Sequence, residues 1–150
     1  MTKRRSVGLI FGGESPEHEV SIVTARSIAQ HLDPVKYDVI PIGVARNGVW
    51  TVLNLNGKTP FDRLVAQERP EKSTHPFLPL EKGSEATPLP DIFFNAIHGA
   101  SGEDGQLQGY LQLLHRPYTG AGLLAMAAGM DKWITKRIWQ SEGLPVVPFV

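Results

Sequence analysis

Short apolar runs along this chain alternate with segments whose apolar residues recur at helical spacing. Residues 7–11 form such a run, and the two glycines that follow close it, which is typical of a buried strand entering a turn. Residues 37–44 and 91–97 repeat the pattern, and residues 116–120 predict a fourth short strand. Asn47-Gly48, set between two apolar pairs, predicts a type I′ hairpin at a sheet edge.

The segments between these strands predict three helices and a run of small residues at 121–129. Ser15 is a suitable N-cap for the first helix, with Pro16 at its first position and Asp33-Pro34 at its end. Asp131 can cap the last helix, which runs to residue 140 and ends at residues 143–145. The residues predicted to face inward are Val20, Val23, Ser27 and Leu32 in the first helix, Leu107, Leu111 and Leu114 in the second, and Ile134 and Ile138 in the last.

Strands that alternate with helices predict an α/β fold with a mainly parallel sheet, helices on both faces and an edge hairpin. Ligands gather at the carboxyl ends of parallel strands. The glycine-rich stretches after residues 11 and 97 should therefore share one rim. Residues 54–90 hold six of the twelve prolines and read as a proline-rich insertion, in which residues 61–68 could form a short helix.

Composition narrows the class of protein. A length of 150 residues with 41% hydrophobic content suits one globular domain. Fifteen basic residues balance fifteen acidic ones, which argues against nucleic acid or a membrane surface as the partner. There is no cysteine, hence no disulfide and no thiolate metal site, and the amino-terminal apolar run is too short for a signal peptide or a membrane span. We predict a cytoplasmic protein with a small-molecule partner.

Several familiar catalytic signatures are absent. The sequence lacks the G-x-G-x-x-G fingerprint of dinucleotide-binding folds and the G-x-x-x-x-G-K-[ST] loop of nucleoside triphosphatases. His18-Glu19 has no second histidine at the spacing of a zinc protease helix. The residues around Ser15 lack the closing glycine of a nucleophile elbow, which favours a capping role for this serine.

Glu17 stands at the start of the first helix, directly after the first glycine-rich stretch. One interpretation is electrostatic, because an acid there meets the positive end of the helix dipole. The other is that Glu17 binds the ammonium group of a small substrate, since glycines allow a ligand close to the backbone and a carboxylate makes charge-assisted hydrogen bonds. Glu19 points to a different face and is interpreted as structural.

His98 ends a strand in front of Gly99, within a stretch that also contains Glu103 and Asp104. A histidine in that place is either a hydrogen-bonded core residue or a group that faces substrate. We favour the second interpretation, with the two acids bracing the loop or capping the next helix. Lys132 is either a solvated lysine beside a cap or a contact to phosphate.

Four segments resemble, in order, the amino-terminal part of D-alanine–D-alanine ligases. They are residues 11–21 (FGGESPEHEVS), 98–109 (HGASGEDGQLQG), 117–120 (PYTG) and 130–132 (MDK). The resemblance implies a Rossmann-like pre-ATP-grasp domain, followed in the family by central and carboxy-terminal domains that sandwich ATP. It divides the chain into a substrate-side domain at 1–130 and, at 131–150, a linker helix and the start of the central domain.

The reaction that the resemblance implies joins two D-alanines through an acyl phosphate, giving D-alanyl-D-alanine for peptidoglycan. It requires ATP and Mg²⁺ or Mn²⁺, and the family is usually a homodimer. Glu17 and His98 match the family's catalytic residues at the first D-alanine, and Lys132 matches a lysine near the ATP phosphates. The implied substrate-binding set is Glu17, Val20, Ser21, His98 and Gly99.

The chain stops where the family enters its central domain, so the metal ligands and most of the ATP site have no counterpart in it. We therefore expect a fragment that does not catalyse ligation by itself. Two alternatives stay open on sequence alone. One is a non-catalytic α/β module for small-molecule binding or assembly, and the other is part of a D-alanine–D-lactate ligase.

Overall fold

The computed structural model describes residues 3–53 and 89–149. Within these ranges the strands are β1 (Arg5–Gly12), β2 (Tyr37–Val44), β3 (Trp50–Val52) and β4 (Ile92–Asn95). The helices there are α1 (His18–His31), α2 (Gln106–Leu113), α3 (Leu123–Met130) and α4 (Lys132–Ser141). None of these helices is long and apolar enough to cross a membrane. The short helix predicted at 61–68 and most of the proline-rich insertion lie outside the described residues.

The four strands form one sheet in the order β3-β2-β1-β4. β1 runs parallel to both of its neighbours, and β3 runs antiparallel to β2 at the edge. Residues 7–13 are all buried, because β1 lies in the middle of the sheet with protein on both faces. This arrangement confirms the predicted α/β fold, the parallel core of the sheet and the edge hairpin.

Helices cover both faces of the sheet, as the sequence pattern predicted. Alternate residues of β1 point to opposite faces, so Leu9 and Phe11 pack against Ile22 and Ala25 of α1. On the other face, Ile10 packs in a cluster that includes residues of β2, β4 and α2. That cluster comprises Ile10, Ile42, Val44, Phe93, Ile97, Leu107 and Leu111. The two layers fix α1 and α2 on opposite sides of the same strand ends.

The predicted start of α1 is wrong. The helix begins at His18, and its N-cap is Glu17, which makes no side-chain cap hydrogen bond. Ser15 instead accepts from the Glu17 N–H at 3.2 Å and donates to the His98 carbonyl at 2.7 Å. The hydroxyl of Ser15 therefore shapes the turn before the helix, and Pro16 lies in that turn.

The predicted inward face of α1 is also wrong. Val20 and Val23 are 54% and 64% exposed, while His18, Ser21, Ile22 and Ala25 are buried. Polar side chains occupy inward positions because carbonyl groups at the rim accept hydrogen bonds from them. A pattern that scores only apolar residues places the buried face on the wrong side of such a helix.

The hairpin between β2 and β3 exists, but its turn is not type I′. That turn requires positive φ at both central residues, and Asn47 has none, whereas Gly48 has φ 78°. The Gly48 N–H donates to Ala45 O at 3.0 Å, and the Ala45 N–H donates to Val49 O at 2.9 Å. These contacts give a three-residue loop that ends in a glycine with left-handed backbone. This is a common hairpin loop, next in frequency to the two-residue loops.

The predicted fourth strand at 116–120 is reduced to one bridge between Phe93 and Tyr118. The Phe93 N–H donates to Pro117 O at 2.9 Å, and the Thr119 N–H donates to Phe93 O at 3.0 Å. Pro117 has no N–H to contribute to a longer ladder. The segment follows the edge of β4 without becoming a full strand.

The last helix begins as predicted, because the Asp131 side chain accepts from the N–H groups of Trp133 and Ile134. Gly143, with φ 72°, follows its end. The prediction that Ile134 and Ile138 face inward is wrong, since they are 41% and 46% exposed. Among the described elements, α4 packs mainly against α3, which has no buried residue itself.

Candidate functional site

Two loops meet at the carboxyl ends of β1 and β4 and form the predicted common rim. The first loop leads from β1 into α1, and the second spans residues 96–105 before α2. The Ser15 hydroxyl donates to His98 O at 2.7 Å, and the Ser21 hydroxyl donates to Ala96 O at 2.6 Å. These hydrogen bonds join α1 and its preceding loop to the loop that carries His98.

Ser21 stabilises the contact between these two loops from a buried position below the rim. Its side chain is fully buried, and its hydroxyl also accepts from the Gly12 N–H at 2.8 Å. A hydroxyl has a single proton, and that of Ser21 goes to the Ala96 carbonyl. Ser21 therefore ties the ends of β1 and β4 together at the floor of the rim.

His18 is a second buried support, and sequence reasoning missed this role. Its Nδ1 lies 2.6 Å from Gly13 O, and the residue is 3% exposed. A carbonyl oxygen can only accept, so Nδ1 carries the proton. The available signal was a histidine at the first position of a helix, five residues after Gly13, whose carbonyl it reaches.

The carboxylate of Glu17 lies over the backbone of Gly99. A Cβ built on Gly99 would stand 2.8 Å from Glu17 Oε2, and Gly99 has φ +73°. The left-handed backbone favours glycine at this position, and a Cβ there would also press on the flexible end of the Glu17 side chain. Glu17 is exposed, so its carboxylate is open to a ligand at the rim.

His98 lies at the same rim, and its ring is contacted by Thr24 and Glu103. Its side chain is 32% exposed. Nε2 lies 3.0 Å from Thr24 Oγ1, and Nδ1 lies 3.7 Å from Glu103 Oε1. Sequence reasoning did not identify Thr24, because one threonine in the middle of a helix carries no signal until the strand that it faces is known.

Asp104 braces the second loop, as the sequence predicted. It accepts from the Ser101 N–H at 2.8 Å, the Gln106 N–H at 3.1 Å and the Gln106 side-chain amide at 2.8 Å. Burial raises the pKa of Asp104, but these donors outweigh it and hold the pKa below the ordinary 3.8. Glu103 does not share this bracing role, since its carboxylate faces His98.

Glu19 lies apart from Glu17, in agreement with its structural interpretation. Its carboxylate binds the Arg46 guanidinium of the hairpin loop through both oxygens. The hydrogen bond from Arg46 is the main cause that lowers the pKa of Glu19. This exposed pair connects α1 to the β2–β3 hairpin.

Comparison with known proteins assigns the family. The family described as "D-ala D-ala ligase N-terminus" matches residues 6–121. The chain belongs to the D-alanine–D-alanine ligase family.

Among curated relatives, the D-alanine–D-alanine ligase of Corynebacterium aurimucosum is 42% identical over 95% of this chain and 42% of its own length. The structure of the Coxiella burnetii ligase superposes with a TM-score of 0.78 at 33% identity and covers 98% of this chain and 44% of that one. The Bacillus anthracis ligase complexed with ATP gives a TM-score of 0.60 at 31% identity, covering 93% and 36%. The chain thus spans less than half the length of these ligases.

Most predicted site residues fall within the part matched to the D-alanine–D-alanine ligase family. Glu17, Val20, Ser21, His98 and Gly99 all lie between residues 6 and 121. The structure brings Glu17, His98 and Gly99 together at the rim, leaves Val20 exposed nearby on α1 and buries Ser21 below.

Lys132 lies beyond the matched residues, at the first position of α4. It is exposed, and no hydrogen bond or ion pair within the described ranges links it to Glu17 or His98. Further along α4, Lys136 and Arg137 lie over the ring of Phe149 at 5.0 and 5.7 Å. In residues 3–53 and 89–149, no three histidine or acidic side chains converge as a metal site.

Substitution of Asp104 tests whether its carboxylate stabilises the second loop. We expect Asp104→Asn to lower the free energy of unfolding by about 1 kcal/mol near neutral pH. The asparagine oxygen is uncharged and accepts weaker hydrogen bonds, and its NH₂ group cannot accept from the N–H donors at all. An aspartate with a lowered pKa stabilises the fold above its unfolded pKa and loses that effect as pH falls through the folded value. The difference between the two proteins should therefore shrink as pH falls below 3.8.

The measurement is urea unfolding of both proteins over a series of pH values. Asp38→Asn, at an exposed position of β2, serves as the matched control and should change the unfolding free energy little. A difference that stays constant from neutral to strongly acidic pH would contradict the assigned role of the Asp104 carboxylate.

Proposed function

We propose that this chain is the substrate-side, amino-terminal part of an ATP-dependent ligase that joins two D-alanines. The observation that carries the proposal is the exposed Glu17 carboxylate over Gly99, at the rim that also holds the partly exposed His98. Family membership supports it, since ligases of this name cover nearly the whole chain. The exposed Glu17 carboxylate at this rim suits an amino acid bound through its ammonium group.

In this proposal Glu17 receives the ammonium of the first D-alanine. An N–H donor of an ammonium group and a carboxylate make a short, charge-assisted hydrogen bond, about twice as strong as a neutral one. Gly99 permits the approach, because any side chain there would occupy the space of the Glu17 carboxylate. The ammonium is thereby fixed while the carboxylate of the substrate stays free to react.

His98 and Val20 complete the proposed pocket. His98 presents its partly exposed ring at the rim as a polar contact to the substrate, and the exposed Val20 offers an apolar contact for the methyl group. Ser21 supports the pocket from below through its hydrogen bonds to Gly12 and Ala96. These roles use the geometry of the rim and need no movement of the sheet.

The proposed reaction has two steps. A carboxylate oxygen of the first D-alanine attacks the terminal phosphorus of ATP, giving an acyl phosphate and ADP. The amine of the second D-alanine then attacks the acyl carbon, the bond to the phosphate oxygen breaks, and phosphate leaves as the amine loses a proton. Mg²⁺ or Mn²⁺ would offset phosphate charge during this transfer.

We assign most of the ATP and metal site to the part of the ligase that follows this chain. Lys132, exposed at the start of α4, is the proposed contribution of this chain to the ATP phosphates. Its fit rests on charge and exposure, because a lysine acts toward phosphate as a mobile point charge. We derive no step of the reaction from it.

We propose that residues 1–130 form the substrate-side unit and that residues 131–150 lead into the central domain. The support is the surface of α3 and α4, where several large apolar side chains are exposed on two consecutive helices. These are Leu123, Leu124, Met130, Trp133, Ile134, Ile138 and Trp139. For the complete enzyme we propose, from the family resemblance, a cytoplasmic homodimer that makes the dipeptide for peptidoglycan.

The test is phosphate release from ATP in the presence of D-alanine and Mg²⁺. Two proteins are compared: this 150-residue chain, and a chimera in which it replaces the matching part of the Corynebacterium aurimucosum ligase. We expect D-alanine-dependent release from the chimera only, because the effective molarity of a clamped substrate requires the later domains. The parent ligase is the positive control.

A folded chimera without activity would overturn the proposal and favour a non-catalytic binding or assembly module. Release by the 150-residue chain alone would show that the proposed location of the ATP site is wrong. Circular dichroism of both proteins establishes folding before either result is interpreted.

A further inference from the structure

Thr24 contacts the imidazole of His98 through its side chain. Its Oγ1 lies 3.0 Å from His98 Nε2, within hydrogen-bond distance, whereas Glu103 Oε1 lies 3.7 Å from Nδ1, beyond it. We propose that Thr24 is a positioning residue that fixes the tautomer and the ring orientation of His98. Only its kinetic consequence rests on the proposed function.

The two neighbours of the ring select one neutral tautomer. The Glu103 carboxylate can only accept a hydrogen bond. It therefore favours the tautomer in which Nδ1, the nitrogen that faces it, carries the proton. Nε2 of the neutral ring is then an acceptor, and the Thr24 hydroxyl donates to it. The opposite tautomer would direct the Nδ1 lone pair at a carboxylate. A valine at position 24 has the shape of threonine and lacks the donor.

The placement of Thr24 also links His98 to Glu17. Thr24 follows Glu17 by seven residues, about two helical turns, so both residues lie toward the same side of α1. The His98 carbonyl is held by Ser15, just before that helix. Helix α1 and its preceding loop therefore hold the carbonyl and the ring of His98, and they also carry Glu17, whose carboxylate we propose binds the ammonium.

The direct test is the ¹⁵N NMR spectrum of the imidazoles in this chain, at a pH where they are neutral. We expect His98 in the Nδ1–H form, a shift toward Nε2–H in Thr24→Val, and recovery of Nδ1–H in Thr24→Ser. Thr135→Val is the matched control, because it removes the hydrogen bond that Thr135 of α4 donates to Ala128 O of α3, away from the rim. It should leave the His98 signals unchanged.

The kinetic test uses the chimera described above. Thr24→Val should raise the Michaelis constant for the first D-alanine about three- to tenfold, the effect of losing one hydrogen bond, and Thr24→Ser should restore it. If the chimera with the unaltered chain were inactive, the proposed function would fail, and the tautomer measurement would still decide the role of Thr24.

Three results would overturn the inference. They are an Nε2–H ring in the unaltered chain, a Thr24→Val protein that keeps the Nδ1–H form, and a Thr24→Ser protein that does not recover the Nδ1–H form lost in Thr24→Val. The first needs no substitution, so the proposal stays testable even if Thr24→Val does not fold.

Discussion

Replacing Gly12 by alanine is expected to lower the free energy of unfolding by about 3 to 5 kcal/mol, the sum of left-handed strain and a steric clash. Gly12 has φ +92°, and a Cβ there would collide with the carbonyl of Val44. That carbonyl accepts the Gly13 N–H at 2.8 Å, so the clash would also disturb the contact between the ends of β1 and β2. The ring of His18 blocks the other side, with Cε1 3.2 Å from the added carbon.

Urea unfolding of the 150-residue chain, followed by circular dichroism, measures this effect. Gly129→Ala is the control, since nothing lies within 4 Å of the added carbon and the residue is exposed in α3. That substitution should leave stability unchanged or raise it by up to about 1 kcal/mol, because alanine favours the helix. Similar unfolding free energies for the two variants would contradict the assigned backbone geometry of the rim.

The sheet could be predicted from the sequence because its main strands are short, mostly apolar runs, and β1 ends at Gly12. β1 and β2 appear where the pattern placed them, and the parallel order follows from the helices between strands. The turn at Gly48 and the segment at Pro117 were predicted less well. Their geometry depends on individual hydrogen bonds, which no periodicity encodes: Asn47 Oδ1 accepts from the Val49 N–H, and Phe93 pairs with Pro117 and Thr119.

The predictions of which helix faces are buried were wrong for two different physical reasons. In α1, Ser21 and His18 are buried because rim carbonyls satisfy them, so polarity did not mark the solvent side. In α4, Ile134 and Ile138 have the spacing of a core face, but the described residues supply little to cover them. The first error comes from tertiary hydrogen bonds, and the second fits a helix whose partner lies in the remainder of a longer ligase.

The candidate site, like the fold, was predicted only in part. The sequence placed Glu17, His98 and Gly99 at strand ends, and the structure brings them together at one rim. Thr24 and His18 were beyond prediction, because their importance arises only from the loop that each one faces. The substrate roles of these residues came from the family resemblance. The position of Glu17 after a strand end does not by itself distinguish a carboxylate that binds ammonium from one that interacts with the helix dipole.

Glu17→Gln in the chimera is expected to raise the Michaelis constant for the first D-alanine about ten- to a hundredfold, the usual effect of losing a charged hydrogen bond. Glutamine keeps the length of the side chain and its packing over Gly99, so the change removes charge with little effect on shape. The separate constant for the second D-alanine should change much less. Initial rates over a matrix of D-alanine concentrations separate the two.

Glu19→Gln is the matched control, because it removes the same charge from a residue two positions along α1 that pairs with Arg46 instead of facing the rim. A general loss of negative charge near the site would affect both variants, whereas an ammonium contact at Glu17 affects only one. Equal Michaelis constants in the unaltered chimera and the Glu17→Gln variant would remove Glu17 from the site. His98 would then be the residue to test for the first contact with substrate, since it is the other exposed polar group at the rim with a fixed orientation.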